Sequence, residues 1–288
     1  MMTLLSLAYD RLRWEEKEIT KRARERGVEV KLVDAKSLRL NSHSELGRSK
    51  DTFGDVLLQR CISYFRGLHL TAYVEHEGIP VVNKLRVAEI CGNKFLTTLA
   101  FERAKVPTPR TILCFTSEAA MQAMGEVGYP AVLKPVVGSW GRLVMPLKDP
   151  DMARAVMAVK NEMNGPLDQI YYLQEMIKRP PRDIRTIVVG DQIVTAVYRY
   201  APPDEWRTNV AIGGKTEACP ITKELEETVI NASKVVGGGV LGVDAMENGT
   251  EFSVHEINHT VEFKGAALVS RKDIGAAIID HVLDQVRR

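Results

Sequence analysis

Cysteine is scarce in this chain. The 288 residues hold only Cys61, Cys91, Cys114 and Cys219, far apart and without a Cys-x-x-Cys pair. That spacing excludes a disulfide framework and a thiolate zinc site, and it fits free thiols in a reducing compartment. Charge of one sign is also missing, since 39 Lys and Arg stand against 37 Asp and Glu for a net +2. Such a balance gives no reason to expect nucleic acid as a partner. The basic cluster Lys21, Arg22, Arg24 and Arg26 lies in a helical stretch and reads as a solvated face. No apolar run approaches the roughly 18 residues of a membrane span. The first residues, Met1 to Arg11, meet charge too soon to read as a signal sequence, so a cytoplasmic protein with no membrane partner is expected. Internal repeats, low-complexity stretches and long linkers are absent as well. No Gly-Lys-(Ser/Thr) follows a glycine across four spacers, which excludes a Walker phosphate loop.

The most informative feature present is a pair of strand-like runs near the C-terminus, 240–244 and 251–258. Side chains alternate along a strand, so Glu256 and Asn258 point one way, and a neighbouring strand can bring Asp244 beside them. Three oxygen donors then converge, the hard-ligand chemistry Mg²⁺ prefers, with water and phosphates completing an octahedron. A half-buried hairpin with an acidic side is the alternative. Upstream, an apolar strand runs into Lys134 and Pro135 and then the loop Gly138, Ser139, Trp140, Gly141, Arg142. Glycines let backbone N–H groups approach an anion, and Lys134 supplies a point charge, although a structural turn explains the glycines equally well. Lys94 opens a helical pattern that continues to Ala104.

Apolar strand-like runs alternate with helical ones along the chain, which argues for α/β architecture. Strands are expected at 4–8, 28–33, 56–59 and 79–82, with helices at 14–26 and 63–77, making an N-terminal unit over 1–90. A central unit, 91–175, holds the helix after Lys94, strands at 111–114 and 131–134, a helix from Ser117 and another from Asp149 and Pro150, where Asp suits the N-cap and Pro the first turn. The run 171–175 leads into a C-terminal unit, 176–288, with strands at 184–189 and 193–198, a helix after Thr222, the acidic hairpin and a terminal helix over 273–286. The triple glycine at 237–239 reads as a tight helix-to-strand connection.

Taken in order, Lys94, Lys134 with its glycine loop, Gln174 and Glu175, Asp183 and Arg185, Trp206 to Asn209, Asp244, and Glu256 with Asn258 resemble the ATP-grasp carboxylate–amine ligases. Within them the whole chain is similar to the LysX and ArgX ligases of lysine and arginine biosynthesis, relatives of the ligases that add glutamate to a ribosomal protein. The likeness is most specific at 133–142, at Cys219 and Pro220, and at 256–264. It implies an ATP-grasp fold with a Rossmann-like pre-grasp domain and two α+β lobes enclosing the nucleotide. It implies ATP as cosubstrate with two Mg²⁺ ions held by Asp244, Glu256 and Asn258. Lys94, Lys134 and the loop 138–142 would hold phosphates and exclude water. Gln174, Glu175, Met176, Ile177, Lys178 and Asp183 would lie near the base and ribose. Arg185, Arg199 and Asn209 would act at the developing phosphoryl charge, with Arg199 also reaching substrate.

The same resemblance places Asn258, His259, Thr260, Glu262, Phe263, Lys264, Gly265 and Ala266 at the amino-acid pocket. Its implied reaction joins the C-terminal glutamate side chain of a small acidic zinc-binding carrier, LysW, to the α-amino group of α-aminoadipate or glutamate through an acyl phosphate. Relatives acting on α-aminoadipate tend to carry Asn then Thr or Ser after Glu-Phe-Lys, and those acting on glutamate tend to carry Gly-Phe. Gly265 and Ala266 match neither pattern fully, so both acids are expected to be used. A ligase acting on another protein and an ATP-binding module without turnover are the alternatives, and a homo-oligomer, dimer or tetramer, is expected. Asp244→Asn and Glu256→Gln are each expected to abolish ligation and leave the fold intact, on the view that both lie at a hydrated surface.

Overall fold

The computed structural model describes residues 3–43, 49–163, 165–208, 215–249 and 251–286. The chain opens with β1 (Leu4–Tyr9), α1 (Trp14–Glu25), β2 (Glu29–Asp34), α2 (Lys50–Phe53), β3 (Val56–Gln59), α3 (Tyr64–His76) and β4 (Val81–Val82). These strands form a parallel sheet in the order β2-β1-β3-β4, and parallel neighbours require crossovers, which α1 and α3 supply. Two helices follow, α4 (Leu85–Gly92) and α5 (Lys94–Arg103). A side chain at Gly92 would collide with the Tyr64 ring, so only glycine lets α4 approach α3 there. Asn93 starts α5 by accepting from the N–H groups of Phe95 and Leu96 at 3.0 and 3.3 Å.

The central sheet is antiparallel, in the order β5 (Thr111–Cys114), β8 (Tyr171–Glu175), β6 (Ala131–Lys134) and β7 (Met145–Leu147). Helices α6 (Ser117–Val127) and α7 (Pro150–Asn161) share a core with it that includes Met124, Leu133, Met157 and Tyr171. Asp149 caps α7 at 2.8 Å with Pro150 in the first turn, as the sequence predicts.

The third sheet is antiparallel too, in the order β11 (Lys215–Ala218), β10 (Gln192–Tyr200), β9 (Arg182–Val189), β12 (Val240–Asn248) and β13 (Glu251–Asn258). Around it lie α8 (Lys223–Val236), α9 (Lys264–Ala267) and α10 (Ile274–Asp284). Gly237 ends α8 in the left-handed region at φ 112°, the tight connection expected there. Both faces of this sheet are buried. Ile187, Val189, Val197 and Val240 pack with Ile278 and Ile279 of α10 and with Leu5, Leu7 and Leu58 of the first sheet. Val188, Leu241 and Val243 pack on the other side with Leu225 and Val229 of α8 and with Phe101 of α5. The helix after Lys94, expected with the central unit, therefore gives its apolar side to the third sheet's core while its first residue reaches the cleft.

The first and third sheets are also fastened by polar contacts. Asn83 donates to the carbonyls of Val240 and His259 at 2.8 and 2.7 Å and accepts from the Val240 N–H at 2.7 Å. Glu15 accepts from the N–H groups of Phe263 and Lys264 at 3.2 and 3.1 Å. The α/β architecture and the main elements match expectation. The short elements α2, α4, β7, β11 and α9 were not legible in the pattern. No described helix is long and apolar enough to cross a membrane.

Candidate active site

Alternation in the third sheet decides what its strands present. Val240 and Ile187 belong to the face that packs on the N-terminal sheet, and Asp244, Arg185, Asp183 and Arg199 follow on that face beyond the end of its apolar core. Asp244 stands opposite Glu256 and Gly242 opposite Asn258, so the three predicted oxygen donors share one end of a hairpin. The register shifts between Asp244 and Ala245. Because Val254 and Ile257 both join the α8 core, the two residues between them turn to the opposite face. His255 thus joins Glu256 in the cleft, a placement that strict alternation would deny.

Asp244 is only 2% exposed, so it is no hydrated surface group. Arg185 grips its carboxylate with two donors, one at 2.8 Å, and Arg199 reaches it at 3.1 Å. Burial opposes the charged form of Asp244, but the two guanidiniums outweigh it and hold the carboxyl below its ordinary range. Arg199 is itself bound in a fork by Asp183 at 2.8 and 2.7 Å, and Thr208 donates to Asp183 at 2.6 Å. Asp183, expected beside the ribose, spends its carboxylate orienting Arg199. Burial works against that charge too, and Arg199 again keeps the carboxyl below its usual range.

On the facing wall Lys94 donates to the Gly138 carbonyl at 2.8 Å and lies 3.5 Å from Glu256. Lys134 donates to Gln174 at 2.6 Å, and Gln174 in turn donates to Thr111 and Tyr172 at 3.1 and 3.0 Å. Gln174, expected at the nucleotide, is therefore the holder of Lys134. Burial lowers the Lys134 ammonium to about 8, although Glu256 pulls the other way. Glu175 accepts from the Arg110 N–H at 2.9 Å, while Met176, Ile177 and Lys178 continue along the cleft wall.

These groups surround a cavity of about 710 Å³ between the central and third sheets. A second cavity of about 840 Å³ lies between the first and third, walled by His259, Thr260, Lys264, Gly265 and Ala266 among others. Both are bounded by Gly138, Ser139, Arg199, Asp244 and Glu256, so they meet at the carboxylate pair beneath the glycine loop. In the second cavity's wall the Asn258 amide nitrogen and the Thr260 hydroxyl are buried without a hydrogen-bond partner among the described residues. Burial lowers His259 to about 4, with nearby Arg60 acting in the same sense, so its imidazole is neutral at physiological pH. One predicted pocket residue stands elsewhere: Phe263 is 1% exposed, in the core, edge-on to Trp14. Glu262 lines the second cavity, bound there by Arg13 and Trp140. Asn209 lies outside the described residues.

The donor set suits a hard cation. Asp244, Glu256 and Asn258 offer oxygen only, and the Asn258 amide is not committed through its nitrogen, so its oxygen is free to turn toward a metal. Among the described residues no three His, Cys, Asp or Glu side chains gather into a metal cluster, so a cation held here would need phosphate and water oxygens to complete its shell, as Mg²⁺ accepts. A cleft lined by buried cations thus opens onto a second chamber at a pair of carboxylates.

Residues 91–282 match the RimK-like ATP-grasp domain and residues 5–90 the LysX preATP-grasp domain. The chain belongs to the RimK-like ATP-grasp family. It is similar to the glutamate–LysW ligase ArgX of Sulfolobus acidocaldarius, 31% identical over 285 residues and 99% of each chain. The alpha-aminoadipate–LysW ligase LysX of Saccharolobus solfataricus is 32% identical over 277 residues, 96% of this chain and 99% of that protein. Among solved structures, a RimK domain ATP-grasp protein from Sphaerobacter thermophilus superposes with a TM-score of 0.78 at 25% identity, covering 97% of this chain and 99% of that one. This ATP-grasp chain is therefore a ligase, and ATP-grasp ligases use ATP, typically with Mg²⁺.

Sequence reasoning missed His255 because the bulge is invisible to a period of two. It missed Arg13 and Glu16 because nothing local links residues so far in sequence from 262.

Proposed function

We propose that this ligase activates a carboxylate with ATP and passes it, as an acyl phosphate, to the α-amino group of an amino-dicarboxylic acid. The carboxylate is the C-terminal glutamate side chain of a LysW-type carrier protein. The observation that carries the reading is the meeting of the two cavities at Asp244 and Glu256. ATP enters the first with its γ-phosphate toward the carboxylate pair, and the acyl group and amine meet from the second. Units 1–90, 91–175 and 176–288 are the pre-grasp, lid and metal-bearing parts.

Lys94, Lys134 and the loop's backbone N–H groups balance the phosphates, and the loop keeps water from the activated carboxylate. Arg185 and Arg199 fix the aim of Asp244 and lie where they can take up charge on the transferring phosphoryl group. Mg²⁺, held by Asp244, Glu256 and Asn258, supplies charge neutralisation at the phosphate oxygens when bound. Thr260 and Asn258 offer unpartnered polar atoms to the acceptor, and the small Gly265 and Ala266 leave its side chain room. That room supports use of both α-aminoadipate and glutamate, since one methylene changes binding by only about 1–3 kcal/mol.

The names of the LysX and ArgX relatives favour the carrier over other acyl donors. The test is to incubate the enzyme with MgATP, carrier and each amino acid, follow ADP and AMP by chromatography, and weigh the carrier. ADP together with a carrier heavier by one acylated amino acid is expected. AMP and pyrophosphate, or amino-acid ligation that needs no carrier, would overturn the proposal.

A further inference from the structure

We infer that Glu262 is a positioning residue that fastens the glycine loop over the junction of the two cavities through Trp140, and so keeps water from the activated carboxylate. The inference rests on the acyl-phosphate reading above. Glu262 divides its carboxylate between two distant parts of the chain. Its Oε1 accepts from Arg13 Nη1 at 2.7 Å, and its Oε2 accepts from Trp140 Nε1 at 3.2 Å. Arg13 is itself fixed, donating to both oxygens of Glu16 at 2.8 and 3.1 Å, and the fully buried Glu16 also takes Arg60 Nε at 3.1 Å. A rigid post on the N-terminal lobe thus holds the carboxylate that holds the loop.

The loop's own geometry agrees. Trp140 sits at φ +59°, a left-handed conformation that a bulky side chain keeps only where its surroundings hold it. Arg142 lies over the same ring at 4.9 Å, and Arg207 Nη1 binds the next carbonyl, Gly141 O, at 3.0 Å. The loop tip is therefore tied on one side by Arg207, in the segment that follows β10, and on the other by Glu262. Neighbouring Gly138 and Ser139 wall both cavities, so lifting the tip opens the junction to solvent. Glu262 lines the second cavity, but both of its carboxylate oxygens are already engaged, one by Arg13 and one by Trp140.

With the loop open, a water oxygen attacks the acyl carbon and the bond from that carbon to the phosphate oxygen breaks. The free carboxylate, inorganic phosphate and a proton result, so ADP accumulates without ligated product. The readout is ADP formed per ligated carrier, measured with MgATP, carrier and amino-dicarboxylic acid for wild type, Glu262→Gln, Trp140→Phe and the double variant. Trp140→Phe removes the N–H donor together with the five-membered ring and leaves a phenyl face for Arg142. Wild type should stay near one ADP per product, each single variant should raise the ratio about fivefold, as loss of one hydrogen bond would, and the double should be no worse than the worse single. Singles as tightly coupled as wild type, a double whose effects multiply, or a Glu262→Gln change confined to the acceptor's KM overturns the inference. A wild type that consumes ATP without ligating the carrier contradicts the functional proposal instead.

Discussion

Single side chains set the charge state of this site. Lys134 is half-buried and desolvation lowers its ammonium to about 8, so the free enzyme loses that proton as pH rises through this value. Phosphate oxygens favour the protonated form, so nucleotide binding should take up a proton above this point and weaken by up to about tenfold per further pH unit. Titration calorimetry from about pH 7 to about pH 9.5 should find this decline in wild type and a flat profile for Lys134→Arg, whose side chain stays charged. Asp244 and Glu256 should part company when neutralised. Glu256→Gln should abolish ligation and leave melting nearly unchanged, because its side chain is partly exposed and, among the described residues, Lys94 alone is paired with it. Asp244→Asn should abolish ligation and also destabilise by about 3 kcal/mol, since Arg185 and Arg199 are left facing a buried neutral amide. Thermal melts beside activity assays separate the two. Ala266 is 5% exposed in the wall of the second cavity, where on the proposed reading it sets the pocket's length. Ala266→Phe should shift the ratio of kcat/KM values toward glutamate over α-aminoadipate by about tenfold or more, and steady-state comparison of the acids checks it.

At the scale of elements, the bulge in β13 aims two successive side chains into the nucleotide cleft. His255 faces it, 3.9 Å from Asp183, with both ring nitrogens lacking a hydrogen-bond partner among the described residues. His255→Leu should therefore raise the KM for ATP about tenfold while the KM of the amino acid stays put, a split that steady-state kinetics reads directly. An unchanged KM for ATP would remove His255 from the site. This element also marks how far the sequence could be read. Caps such as Asp149 with Pro150 and Thr222, and the alternation of Val240 to Asp244, act locally, so helix starts, strands and the acidic hairpin were legible. A bulge is one extra residue in a register shared with another strand, and local pattern does not encode it. The same holds for Asp183 and Gln174. Their place in the cleft was visible, yet their tasks, orienting Arg199 and Lys134, depend on partners brought by other strands. Phe263 read as pocket because it adjoins Lys264 and Gly265, but its ring turns into the core beside Trp14.

For the whole molecule, the first and third sheets share one apolar core, while the central sheet has its own. On the proposed reading the acceptor's chamber lies between parts that share a core, the nucleotide's cleft lies against the part with a core of its own, and the chemistry takes place where the two cavities meet, which makes the route of the carboxylate oxygen the central claim. The most direct measurement uses a carrier whose terminal carboxylate carries heavy oxygen, run to completion with MgATP and the amino acid, with mass analysis of the phosphate released. One labelled oxygen in inorganic phosphate, with ADP as the nucleotide product, is the predicted result. Label recovered in AMP, or phosphate with no label in it, would contradict the account.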